Sequence, residues 1–418
     1  MRTNSAIFYL FILILLAMKS DLYPQTEIKT GDKRFREFYE KLTAAESSQR
    51  QSLADYFIAG LGKRYPVFED DTTVVFLYKG NRDTVEIVGD LADWSYAIPM
   101  IKIEGTNLWY YRGNYEPDAR LDYWLQFSKN EFPLLDTLNE FTIDNGWGQI
   151  SELAMPQYKR HPLHKGFIHG QKGDLSLVTE KILLPGILPY EHIIDIYLPP
   201  SYNEENKYPV VYFQDGRDYI ELGLASYTIH ELIKNGEIQP VIAVFVTPPN
   251  FHKAESPNRM TEYGMNDDYV KFFVNELVNY IDSNYSTERS ADARLIIGDS
   301  YGGLISTYIP FKHPEIFKNA YSQSGYHSFS RDSLINLFRS SERKPLNLYI
   351  DIGTYEKNVG ASFLPAGETN FTEGNRRLKQ VLEEKGYDFI YHEYHEGHTW
   401  GNWRRHLIDA LIYFFGKK

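Results

Sequence analysis

The stretch that most restricts how this chain can fold is LIIGDSYGGLIS, Leu295 to Ser306, where an apolar run ends in a serine flanked by glycines. Gly298, Gly302 and Gly303 fall within six residues. Each glycine loses more backbone freedom on ordering than any other residue and packs no side chain in return. A segment this rich in glycine needs a backbone path that side chains would obstruct. Gly298-Asp299-Ser300-Tyr301-Gly302 has the form G-x-S-x-G, in which a serine sits in a strained turn between a strand and a helix and the residues two places away must be small. Leu295 to Ile297 supplies a buried parallel strand. Tyr301 to Ile309 reads as the helix, whose N-terminus favours negative charge beneath the serine.

From about residue 173 onward strands and helices alternate. Apolar strands are expected at 193–198, 210–213, 241–246, 295–297, 346–352 and 389–394, with helices such as 269–285 and 375–385 between them. This order predicts an α/β fold with a doubly wound, mostly parallel sheet, and chemistry at the carboxyl ends of its strands.

The first part of the chain has a different texture. Over 31–65, Phe35, Phe38, Tyr39 and Leu42, then Leu53, Tyr56 and Phe57, mark a helical extension with one apolar stripe. Over 70–145, short strands at 74–78, 84–88, 100–103, 108–114 and 120–127 alternate with turns, as in a small immunoglobulin-like β-sandwich. Trp94, Trp109 and Trp124 either line a sugar-binding face or fill the core, and core filling is the commoner use. Residues 146–172 read as a linker leading to the α/β unit at 173–418.

At 418 residues with 43% hydrophobic and 15% aromatic content the chain has material for more than one core. Its net charge of -12 and the lack of a Lys/Arg cluster exclude nucleic acid as a partner. Arg2 followed by the apolar run Ala6 to Met18 has the proportions of an export signal, assigned to residues 1–20, with an uncleaved anchor as the alternative. The exported chain is expected in the periplasm or outside the cell, with no stable membrane insertion once the signal is cut. It contains no cysteine, so disulfides, thiolate metal ligands and a thiol nucleophile are excluded.

A serine hydroxyl becomes a nucleophile when a histidine, itself held by a carboxylate, takes its proton. In this fold the chain order is serine, acid, histidine. After Ser300, LYIDIGTYEKN places Glu356 in the loop beyond a strand, while Asp351 lies inside that strand. FIYHEYHEGHTWGNW places His398 after Gly397 beyond the last strand; His392 lies within it and His395 near its end. The spacing of these histidines in threes suits metal ligands on neither a helix nor a strand, and no cofactor is expected. The oxyanion formed on attack needs backbone N–H donors, worth roughly 3 kcal/mol each. Tyr301 supplies one, and Gly216 or, preferably, Arg217 after the strand at 210–213 supplies the other.

The segments IYLPPSYNEENKYPVVYFQDG, IIGDSYGG, IDIGTYE and HEGHTWGNWRRHL resemble the enterochelin-esterase and feruloyl-esterase branch of the esterase family. VEIVGDLADW, GTNLWYY and PDARLDYWL look like the early-set β-sandwich that such esterases carry in front. The resemblance implies an α/β-hydrolase fold with Ser300 as nucleophile, Glu356 as acid, His398 as base and the Arg217 N–H as an oxyanion donor. SQSGYHSF lacks the tryptophans of the siderophore esterases, and Glu356 stands where feruloyl esterases carry aspartate. The expected function is a serine ester hydrolase acting on feruloyl or acetyl esters of polysaccharide, or on a siderophore-type ester. The alternatives are an acyltransferase on the same fold and a glycan-binding or structural protein with an inactive hydrolase unit. Arg217, Arg259 and Lys357 are candidates for contact with an anionic substrate.

Overall fold

The structure, a computed structural model, describes residues 31–417 apart from 64, 95, 147, 168–170, 251–256 and 361. The segment read as an export signal lies outside the described residues.

Helices Arg34–Ala44 and Ser47–Leu61 form a hairpin. The strands that follow are β1 (Val67–Phe68), β2 (Thr73–Lys79), β3 (Glu86–Gly89), β4 (Ile98–Pro99), β5 (Ile101–Lys102), β6 (Leu108–Asn114), β7 (Arg120–Gln126), β8 (Thr142–Asp144) and β9 (Gln149–Ala154). They make two antiparallel sheets, ordered β1-β2-β6-β5 and β4-β3-β7-β9-β8. The run Val74-Val75-Phe76-Leu77 is buried on both faces because β2 is a middle layer. Val74 and Phe76 join Ile87, Leu121, Tyr123 and Leu153 of the second sheet in one core. Val75 and Leu77 meet Phe35, Phe38 and Leu42 of the first helix. The helical stripe read from the sequence thus covers a sheet, except that Tyr56 points to solvent.

One sequence expectation is corrected here. The segment 146–172 is not simply a linker, because β9 lies in it and pairs with β7 and β8. Its buried Ser151 and Glu152 disguise it as a polar loop, and Glu152 is tolerated inside because Arg120 and Arg160 both reach it. The tryptophans take the commoner of the two uses, core filling: Trp109 and Trp124 are buried, and Trp94 packs edge-on against Trp124.

The strands of the second half are β10 (Thr179–Leu183), β11 (His192–Tyr197), β12 (Val210–Phe213), β13 (Ile242–Thr247), β14 (Arg294–Asp299), β15 (Asn319–Gln323), β16 (Asn347–Gly353) and β17 (Phe389–Tyr394). Among the described residues they form one eight-stranded sheet, ordered β10-β11-β13-β12-β14-β15-β16-β17. β10 and β11 pair antiparallel, as do β11 and β13; every later pair is parallel. Each central strand alternates between two cores. Tyr212, Val244, Ile296 and Ile350 face one side, and Val211, Phe213, Leu295 and Ile297 face the other. Helices cover both faces, as a parallel sheet buried on each side requires. β15, whose NAYSQ sequence carries no apolar period, is absent from the sequence reading; its Ser322 and Gln323 are nevertheless buried, with Gln323 bonded to Tyr219, Tyr321 and Trp403.

Candidate active site

β14 and β15 run in register to Asp299 and Gln323, and the chain turns at Ser300 into the helix Tyr301–Lys312. Ser300 sits at φ 55°, ψ -118°, a conformation that costs a side-chain-bearing residue and persists because its surroundings hold it. Ser300 N–H donates to Gln323 O (2.9 Å) and Ser300 O accepts from Tyr326 N–H (2.9 Å). The glycines follow from this path. A Cβ on Gly298 would collide with the Gly302 carbonyl and lie 2.8 Å from Ser306 Oγ; one on Gly303 would lie 2.7 Å from Ser322 Oγ.

Glu356 and His398 stand at the same edge, beyond β16 and β17. Glu356 is fully buried, and its Oε2 lies 2.7 Å from His398 Nδ1. Its other oxygen accepts from Ser324 Oγ (2.6 Å) and Gly353 N–H (2.8 Å). Ser324 Oγ in turn accepts from Trp403 Nε1 (2.9 Å). The imidazole is held edge-on between Phe371 and Trp403, with ring centroids 5.2 and 5.0 Å away. Ser324 follows Gln323, the residue that holds the Ser300 amide, so one β15 terminus braces both the serine turn and the carboxylate.

The competing candidates lie elsewhere. Asp351 is buried within β16 and bonded to Tyr321, with its carboxyl pushed up to about 7 by burial. His395 is bonded to Asp118 (2.7 Å), and Glu396 to His406 (2.8 Å). Among the described residues no three His, Asp or Glu side chains gather as metal ligands would.

Tyr301 is the first residue of its helix, where the backbone N–H has no intrahelical acceptor. The Arg217 N–H donates to Thr247 Oγ1 (3.2 Å), and its guanidinium pairs with Asp195 and Glu180. Gly216 packs against β13 so closely that a Cβ would meet the Val246 N at 2.6 Å. Arg259 forms a two-pronged pair with Asp215 (2.8 and 2.7 Å) and approaches Asp299 at 3.7 Å. Burial and the neighbouring Asp215 raise the Asp299 carboxyl well above the carboxylate range. Lys357 contributes its backbone N–H to Asp93 (3.0 Å).

Sequence reasoning missed the residues that hold these loops. Asp90, in a short turn after β3, accepts from the His398 N–H (3.1 Å), from Trp94 Nε1 (2.7 Å) and from the Asp122 N–H (2.9 Å). Arg120 N–H donates to His395 O (3.0 Å), and its buried guanidinium reaches Asn402 Oδ1 (2.9 Å). Asp93 holds the Lys357 and Asn358 amides, and Glu116 accepts from Tyr355 (2.5 Å). The only sequence signal is the acid-rich turn GDLAD, which resembles any solvated loop.

Residues 187–414 match the family described as "Putative esterase", and the chain belongs to that family. An uncharacterized protein of Bacillus subtilis strain 168, YjcH, is 32% identical over 234 residues, which is 56% of this chain and 95% of that protein. The endo-1,4-beta-xylanase/feruloyl esterase of Xylanibacter ruminicola is 30% identical over 134 residues, covering 29% of this chain and 18% of its own length. Among solved structures, the enterobactin esterase FES of Shigella flexneri superposes with a TM-score of 0.64 at 18% identity, over 82% of this chain and 92% of that one. At that identity the likeness shows the fold alone, an esterase-type α/β fold around a mostly parallel sheet.

Proposed function

We propose that this esterase is a serine carboxylic-ester hydrolase working through an acyl-enzyme. The observation that carries the reading is the 2.7 Å bond between His398 Nδ1 and Glu356 Oε2 at the edge where Ser300 occupies its left-handed turn. An imidazole whose Nδ1–H rests on a carboxylate presents an unprotonated Nε2 as a base. As Ser300 Oγ adds to the ester carbonyl, Nε2 takes the hydroxyl proton, and Glu356 stabilises the imidazolium. The proton then passes to the departing alcohol oxygen as the C–O bond breaks. Water, deprotonated by the same nitrogen, attacks the acyl-enzyme and releases the acid and Ser300.

The oxyanion meets the Tyr301 N–H. The Arg217 N–H serves as second donor by exchanging Thr247 Oγ1 for the substrate oxygen. Loss of one such donor costs ~3 kcal/mol of transition-state stabilisation.

Tyr301, Tyr326, Phe329 and Phe371 form a connected aromatic wall beside the serine, with Tyr326 stacked on Phe371 at 4.8 Å. Tyr326 and Phe371 are buried behind the half-buried Tyr301 and Phe329. The acyl group we propose is feruloyl or acetyl on polysaccharide, or the acyl part of a siderophore-type ester. The apolar N-terminal run supports export to the periplasm or beyond. We divide the chain into the helical hairpin with its β-sandwich and a following hydrolase domain.

Turnover of a chromogenic aryl ester tests the proposal. The Ser300→Ala variant should lose roughly a million-fold in kcat with an unchanged thermal melt. Unchanged turnover in that variant overturns the reading.

A further inference from the structure

The two N–H groups assigned to the oxyanion leave the sheet side by side. β12 and β14 are neighbouring parallel strands, paired as far as Phe213 and Ile297. Beyond them the chain turns at Asp215, just ahead of Arg217, and at Ser300, just ahead of Tyr301. Both turn residues have positive φ, 48° and 55°, a conformation that costs a residue with a side chain and lasts only where neighbours enforce it. The Ser300 turn is braced by Gln323 and Tyr326. The Asp215 turn is braced by the short helix Arg259–Tyr263.

Two residues of that helix hold Asp215. Tyr263 Oη accepts from the Asp215 N–H (2.9 Å), and Arg259 grips the carboxylate with Nε and Nη2 (2.8 and 2.7 Å). The same Nη2 reaches across to the carbonyl oxygen of Asp299 (3.4 Å), the residue before the serine. One planar guanidinium therefore spans both turns, a task that suits its rigid fork of donors. Gly302 makes the room, since a Cβ there would lie 3.0 Å from Asp215 Oδ2. Asn258 fixes the helix in turn by accepting from the Met260 and Thr261 N–H groups (3.1 and 3.2 Å).

The pairing also settles the charge beside the site. Asp215 is buried close to the Arg217 N–H, and its carboxylate, left without a cation, would oppose negative charge forming there. Burial and Asp215 hold the neighbouring Asp299 carboxyl toward its neutral form, and Asp218 is half-buried. The Arg217 guanidinium is committed to Asp195 and Glu180, so Arg259 is the cation that meets Asp215. We propose that Arg259 is a positioning residue for the oxyanion hole: it ties the turns that carry the Arg217 and Tyr301 N–H groups to each other, and it cancels the Asp215 charge beside them. The inference rests on the serine-esterase reading, and it assigns Arg259 to this bridge in place of contact with an anionic substrate.

Steady-state rates on an uncharged aryl ester, with a thermal melt of each variant, test it. Arg259→Ala should lose about a hundredfold in kcat, the scale of one oxyanion donor, while KM stays nearly unchanged. Arg259→Lys, which keeps the charge and loses the planar fork, should lose roughly tenfold. The double variant Arg259→Ala, Asp215→Asn should recover roughly tenfold of the loss in Arg259→Ala, because a neutral amide replaces the unpaired carboxylate. A purely structural role for Arg259 gives no such recovery. If Arg259→Ala melts below the assay temperature, a lowered kcat with unchanged KM in both Arg259→Lys and the double variant still supports the proposal, and full kcat in either overturns it. Full kcat in a folded Arg259→Ala, or a double variant no faster than the single one, overturns it while Ser300-dependent turnover of the unaltered protein leaves the esterase reading standing. Absence of that turnover removes both.

Discussion

The two halves of the candidate site are held in different ways. The serine turn is fixed by its own sheet: Gln323 and Tyr326 bond its backbone, and glycines let helix and strand approach. The histidine and glutamate loops are gripped from outside by Asp90, Asp93, Glu116, Asp118 and Arg120 of the sandwich. A strained serine needs rigid packing beneath it, which a central strand provides. A loop beyond the end of β17 has few packing partners of its own, and charge-assisted hydrogen bonds from a second body supply the missing restraint. The sandwich is thus a support for His398 and Glu356.

The contrast breaks most sharply at the base. His398→Ala should cost roughly a million-fold in kcat and Glu356→Ala roughly ten-thousand-fold, because the second variant keeps an imidazole that can still accept the Ser300 proton. Steady-state rates on one aryl ester compare them; equal losses would mean that Glu356 does more than orient the ring.

A smaller effect separates support from chemistry. Asp90→Ala removes the acceptor of the His398 N–H, and a displacement of about 1 Å in a reacting group costs roughly a hundredfold. The expected result is a fall of that order in kcat with KM nearly unchanged, while Ser300 still reacts with a fluorophosphonate probe, though more slowly. A kcat equal to that of the unaltered protein would show that the sandwich does not position the base.

The smallest effect concerns stability. Burial raises Asp351 from 3.8 to about 7, so the folded chain keeps a proton that the unfolded chain releases across that interval. Stability therefore falls as pH rises from about 4 to about 7. Asp90, raised to about 7, and Asp136, raised to about 6, add to the same slope. Asp351→Asn should remove one share of it, measured as a smaller difference between urea midpoints at pH 5 and pH 8.

Much of this architecture is legible in local pattern. The elbow is encoded within a few consecutive residues, since Gly298, Ser300 and Gly302 satisfy a steric demand set by their immediate neighbours. β12 and β17 are readable because apolar side chains or flanking turns mark them. β9 and β15 are not, since buried Glu152, Ser151 and Gln323 are polar residues whose partners come from remote segments.

Periodicity and short-range sterics are enough to locate the serine turn, the alternating α/β order and the loops that bear Glu356 and His398. The contact of Asp90 with the backbone of a residue 308 positions later emerges from long-range folding alone. The physical reason is that a hydrogen bond or a desolvated charge is a property of what surrounds a group, and chain folding, not neighbouring sequence, assembles that surrounding.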